Sequence, residues 1–180
     1  MARLQQRYTE EIAPALMEQF SIENRFAVPR IEKVVVSMGV GRATEEGKRL
    51  EDAERDLSLI TGQKPVLTRA KKAVSNFKLR KGMQIGCKVT LRGARMYEFL
   101  DRLLNVAMPR IRDFRGVGLR FDAAGNYNVG VRDISIFPEV DIDSLQFQQG
   151  LNVAVVVQNS DPEKSRRMLA LMGMPFRREG

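Results

Sequence analysis

The side chains able to carry covalent or metal chemistry are nearly missing from this chain. There is no histidine, which excludes an imidazole base, a Ser-His-Asp or Cys-His nucleophile and a His-ligated zinc. The single cysteine, Cys87, can form neither an internal disulfide nor a cysteine-rich metal site. Its phase in an alternating segment is that of a buried thiol. Three motif-like spacings fail on geometry. From Gly41 to Gly47-Lys48, five residues separate the glycines where a phosphate loop has four, and Arg49 stands where a hydroxyl must meet magnesium. Gly39-Val40-Gly41 opens a dinucleotide turn, but Thr44 replaces its third glycine. Asp141-Ile142-Asp143 opens a calcium loop, but Gln146 and Asn152 occupy its glycine and bidentate glutamate positions. No catalytic residue, metal or cofactor is therefore expected, and the chain reads as a protein that is not an enzyme.

What remains is non-covalent chemistry, and it is concentrated. The 180 residues carry 30 Lys plus Arg against 22 Asp plus Glu, a net charge of +8. Residues 57–97 alone hold ten cations and no acid: Lys64, Arg69, Lys71, Lys72, Lys78, Arg80, Lys81, Lys88, Arg92 and Arg95. Ordinary surfaces intersperse both signs, so an acid-free run of that length points to a polyanion. Gln63, Ser75, Asn76 and Thr90 lie among the cations and can bond to phosphate, ribose or base edges. Phe77 sits between basic groups and can either stack on a nucleotide or anchor a loop in the core. No helix-turn-helix, zinc finger or basic zipper is present for DNA, and a rigid sheet with a basic loop suits folded RNA. Residues 122–161 have the opposite bias, one Arg against six acids.

The elements that must position these groups follow from periodicity. Leu4, Tyr8, Ile12, Leu16 and Phe20 recur every four residues, predicting an amphipathic helix over 3–20, kinked or restarted near Pro14. Ile31 to Met38 reads as a buried strand, and 49–61 as a helix closed by Gly62. Residues 65–69 suggest a short strand, and 70–82 a long loop or loose hairpin. Residues 83–92 alternate cleanly, with Lys88, Thr90 and Arg92 facing away from Cys87, Val89 and Leu91. A third helix, from Met96 to Ala107, stops at Pro109. Strands follow at 127–131 and 151–157, and a last helix is capped by Asp161 and ended by Gly173. The expected fold class is α+β: a largely antiparallel sheet with helices packed on one face, in a single domain spanning 1–180, with an N-terminal helical segment (1–28) and a projecting basic loop (70–82). With no apolar signal core or membrane-length apolar run, the chain is expected to be cytoplasmic. A peripheral membrane protein would need a helix with a basic polar face, and that of 3–20 is balanced.

Ordered blocks then carry a resemblance. They include Pro29-Arg30-Ile31-Glu32-Lys33, Met38-Gly39-Val40-Gly41, Thr61-Gly62-Gln63-Lys64-Pro65 and Thr68-Arg69-Ala70-Lys71-Lys72. Ile85 to Gly93, Pro109 to Gly116, Gly125-Asn126-Tyr127, Ile136-Phe137-Pro138-Glu139 and Pro175-Phe176-Arg177 continue them. The chain resembles the bacterial large-subunit ribosomal L-five family, the universal family that binds 5S rRNA. The resemblance implies a structural ribosomal protein of the central protuberance that attaches 5S rRNA, touches P-site tRNA and joins a bridge to small-subunit protein thirteen. It further implies contacts with 23S rRNA and neighbouring large-subunit proteins, no membrane, and no cofactor.

The resemblance implies 5S rRNA contacts at Gln63, Thr90 and Ser37, and the expected 5S rRNA set adds the cations Lys33, Lys64, Lys88 and Arg92. Ser37 stands where the family usually has Asn; a hydroxyl or water-mediated bond would replace a bidentate amide contact there. The implied tRNA loop holds Lys71, Lys72, Ser75, Asn76, Phe77, Lys78, Arg80 and Lys81. The implied bridge falls within 109–147, with Arg110, Arg112, Asp113, Arg115, Asp141 and Asp143, where an acidic edge would suit a basic partner. The alternative is a basic nucleic-acid-processing enzyme or another kind of RNA-binding module.

Overall fold

The structure, a computed structural model, describes residues 2–44, 46–141 and 145–177. Asp143 of the expected bridge lies outside them. Five strands form one antiparallel sheet: β1 Arg30–Gly39, β2 Val66–Arg69, β3 Gln84–Leu91, β4 Tyr127–Val131 and β5 Leu151–Gln158, in the order β2-β3-β1-β5-β4. Helices are α1 Arg3–Arg7, α2 Ala13–Gln19, α3 Lys48–Thr61, α4 Gly93–Arg102 and α5 Pro162–Leu171. The α+β class read from periodicity is the one observed. Contacts gather the chain into two compact units. One takes the chain up to Val34, Leu91–Val129 and the chain from Ala154; the other takes Val35–Thr90 and Gly130–Val153.

In the first unit, two prolines shape the helices in the same way. A π-helical turn at Tyr8–Ile12 joins α1 to α2 just before Pro14, and another at Leu103–Ala107 follows α4 just before Pro109. Proline has no N–H for the carbonyl four residues back and crowds it, and a wider turn lets that carbonyl find another partner. The interruption expected near Pro14 is thus a widened turn. Leu4, Leu16, Phe99, Leu103, Met168 and Leu169 are buried in this unit. Tyr127 is buried and donates its hydroxyl to the Gly118 carbonyl at 2.7 Å. Asp161 caps α5, accepting from the Lys164 N–H at 2.9 Å, with Pro162 in the first turn.

In the second unit, the apolar phases of the strand segments and the stripe Leu50, Ala53, Leu57 and Ile60 of α3 supply the core. The part of β1 expected to be wholly buried alternates instead: Val36 and Met38 are buried and Ser37 half-buried, so one face keeps a polar group available. Gly86 is required by close approach. A Cβ there would stand 2.6 Å from the Met38 carbonyl oxygen and 3.0 Å from Thr68 Oγ1.

Candidate nucleic-acid interface

The second unit assembles the first surface from the end of α3 and the outward phase of β3. α3 ends on Gly62, whose φ of +66° lets its N–H reach the Ser58 carbonyl at 2.8 Å. The buried Thr61 hydroxyl lies 2.7 Å from the Leu57 carbonyl and 3.2 Å from that of Gln63, fixing the turn that follows. Gln63 is thereby aimed across the chain: its Nε2 donates to the Thr90 carbonyl at 3.4 Å. The Gln63 amide oxygen and the Thr90 hydroxyl have no partner among the described residues. Lys88 and Thr90 are both exposed, as the period of two requires, and Lys64 is exposed beside Gln63. Val66 pairs with Lys88 across β2 and β3, and Thr68 pairs with Gly86. Ser37 is half-buried on β1. Neutral hydrogen-bonding groups thus lie beside exposed ammonium groups, a combination that fits phosphate and ribose. Thr61 is the positioning residue that sequence reasoning missed; its buried hydroxyl has no signature in a linear pattern.

The segment 70–82 forms a hairpin closed at two levels. At its base the Ala70 N–H donates to the Met83 carbonyl at 2.8 Å, and the Gly82 N–H to the Ala70 carbonyl at 2.9 Å. Nearer the tip, Val74 and Leu79 exchange both backbone bonds, at 2.9 and 3.0 Å. A 3-10 turn at Ser75–Phe77 and Lys78 at φ +51° complete the reversal. Lys71, Lys72, Ser75, Asn76, Lys78, Arg80 and Lys81 are all exposed. Phe77 is 73% exposed, so it is no core anchor.

The first unit treats its expected contacts differently. Lys33 and Arg92 share one acid: Glu32 lies 3.6 Å from Lys33 Nζ and 3.0 Å from Arg92 Nη1. The Arg92 hydrogen bond, then the charge of Lys33, holds the Glu32 carboxyl below the usual range. A phosphate would have to compete with Glu32 for both cations, but exposed ion pairs are weak and exchange readily. Arg110, Arg112, Asp113 and Arg115 are exposed along an irregular bend, with Asp113 at φ +53°. Asp141 is exposed in the other unit. Charge at 110–115 is three arginines against one aspartate, so the acidic bias expected for the bridge does not extend there.

No group of three or more His, Cys, Asp or Glu able to hold a metal ion occurs among the described residues. Cys87 is buried, and burial pushes its thiol up to about 11. Fold and surface together define a basic α+β protein whose exposed cations suit a polyanion. Residues 24–80 match the family model of ribosomal protein L5, and residues 84–176 match the model of that family's C-terminus. The chain is 54% identical over 178 residues to the large ribosomal subunit protein uL5 of Syntrophomonas wolfei, covering 98% of this chain and 100% of the relative. It is 54% identical to that of Caldanaerobacter subterraneus and 53% identical to that of Rubrobacter xylanophilus, each covering 98% of this chain and 99% of the relative. The chain belongs to the ribosomal protein L5 family, whose members are structural and non-enzymatic.

Proposed function

We propose that this chain, a structural constituent of the large ribosomal subunit, attaches 5S rRNA in the central protuberance through the surface around Gln63, Lys64, Lys88 and Thr90. The hairpin from Lys71 to Lys81 touches P-site tRNA, and the 109–147 region contributes to a bridge with small-subunit protein thirteen. The chain works in the cytoplasm, on the ribosome, beside 23S rRNA and neighbouring large-subunit proteins. Among the described residues, no helix is long and apolar enough to cross a membrane.

The observation that carries the reading is the Gln63–Thr90 contact. It joins two distant parts of an acid-free segment and presents neutral acceptors and donors beside Lys64 and Lys88. Such groups position an RNA, while the cations supply the salt-dependent attraction. The test is to purify the protein from cells and size the RNA that accompanies it. A 5S rRNA that persists through moderate salt and leaves in a high-salt wash is the expected result. Unselected RNA of all sizes would refute a specific 5S site.

A further inference from the structure

The second unit holds a cleft of about 660 Å³ between the turn that follows β1 and the basic hairpin. Its lining is apolar at Leu79 and Ile85, and the Phe77 ring stands beside them, 73% exposed. Two positions are bare backbone. Gly39 and Gly41 line the cleft, and a Cβ on either would meet nothing within 4 Å. The turn is held in place by the Val40 N–H, which donates to the Ile85 carbonyl at 2.8 Å, and by the Thr44 hydroxyl, which donates to that of Gly41 at 3.2 Å. The opposite wall is fixed by the Val74–Leu79 bonds described above. Arg42 and Lys78 are exposed members of the lining, and neither has an ion-pair partner among the described residues.

An exposed aromatic ring beside an apolar surface, with two unengaged cations at the same opening, suits a ligand with flat faces and negative charge. A nucleobase with its phosphate has both. An apolar peptide would desolvate Arg42 and Lys78 for no return. Lys71, Lys72, Arg80 and Lys81 extend the positive charge along the same hairpin, so phosphates on either side of the seated one are also attracted. A base inside a helix is stacked and cannot enter a cleft; one outside the stack can. We propose that this cleft takes a single extruded nucleotide of a bound RNA, its base stacked on Phe77 and its phosphate held by Arg42 and Lys78. The proposal rests on the RNA-binding reading above and adds Arg42 to the residues that serve it.

The test uses the full chain and an RNA hairpin carrying one bulged 2-aminopurine, with a fully paired hairpin as reference. The bulged RNA should bind about ten-fold tighter, in line with one base stacked on an aromatic ring, and its fluorescence should be quenched. Phe77→Ala should remove both the preference and the quench, and Phe77→Tyr should keep them. Gly41→Val, which adds a branched side chain to the lining without removing charge, should reduce the preference. Equal binding of the two hairpins by the natural chain, or a preference that survives Phe77→Ala, overturns the proposal. Competition by free AMP at concentrations equal to the RNA overturns the RNA-embedded occupant. A gel shift of the natural chain with 5S rRNA decides the broader reading separately: its failure, with the bulge preference intact, would remove the 5S assignment and leave the cleft standing.

Discussion

A single methyl group at Gly86 would have to displace backbone, because its nearest neighbour is the Met38 carbonyl oxygen at 2.6 Å. Overpacking of that kind costs about 1–3 kcal/mol, so Gly86→Ala should lower the melting temperature by several degrees, measured by calorimetry. Thr90 and Gln63 should behave in the opposite way. Thr90 bonds Gln63 through its backbone carbonyl, which Thr90→Ala keeps, and its side chain is exposed. Each neutral hydrogen bond to RNA is worth about 0.5–1.5 kcal/mol. Thr90→Ala and Gln63→Ala should therefore each weaken 5S rRNA binding several-fold with a nearly unchanged melting temperature. A large fall in stability at constant affinity would assign both residues to the fold. The outward direction of Thr90 was legible, because alternation in β3 allows no other phase. Its meeting with Gln63 was not: the two are 27 positions apart, and the approach depends on the left-handed Gly62 and the buried Thr61 hydroxyl, neither of which periodicity encodes.

Among the elements, α5 was the most legible, since cap, proline and closing glycine stand in order along the chain. Its cap also gives a pH signature. The Lys164 N–H, then the Lys164 side chain, holds the Asp161 carboxyl below its ordinary value. A carboxyl whose folded value is depressed stabilises fully above the unfolded value and loses that contribution as pH falls through the folded one. Asp161→Ala should therefore cost about 1 kcal/mol near neutrality, and the gap in melting temperature between the two proteins should close below about pH 4. The hairpin was the least legible element. Its closure is made by backbone bonds at Ala70, Val74, Leu79 and Gly82, while its side chains suggest only a polar loop. For the same reason its charges can be changed without opening it. Replacing Lys71, Lys72, Lys78, Arg80 and Lys81 together by Gln should leave the fold intact. Binding of 5S rRNA should lose only a diffuse attraction, screened beyond about 8 Å at physiological salt. Ribosomes assembled with this variant should keep 5S rRNA and hold P-site tRNA less firmly. If a gel shift at about that ionic strength shows 5S rRNA stripped from the variant, the hairpin is itself part of the 5S clamp.

At the scale of the whole molecule, the distribution of charge matters more than its sum. The net +8 is smaller than the +10 of residues 57–97 alone, because residues 122–161 carry one cation against six acids. This polarity was plain in the sequence. What it did not show is that Lys33 and Arg92 are already held by Glu32, which removes two cations from the freely available set. The remaining acid-free surface sets a measurable salt dependence. If about six phosphates are neutralised, counterion release gives a slope of roughly −4 to −5 in log affinity against log salt. The natural chain should show that slope with 5S rRNA in a titration from low to physiological salt. Glu32→Gln should steepen it by about one for each cation it frees to meet a phosphate, and an unchanged slope would mean that Lys33 and Arg92 face no RNA. Slope alone does not establish an RNA reader, since any polyanion releases counterions. The neutral groups at Gln63 and Thr90 supply the distinction, because they can bond the 2′-hydroxyl that DNA lacks. A DNA hairpin of matched shape should therefore show a comparable slope and a weaker affinity at every salt concentration. Equal affinities would mean that the Gln63–Thr90 surface makes no use of the ribose, and that the chain binds by charge alone.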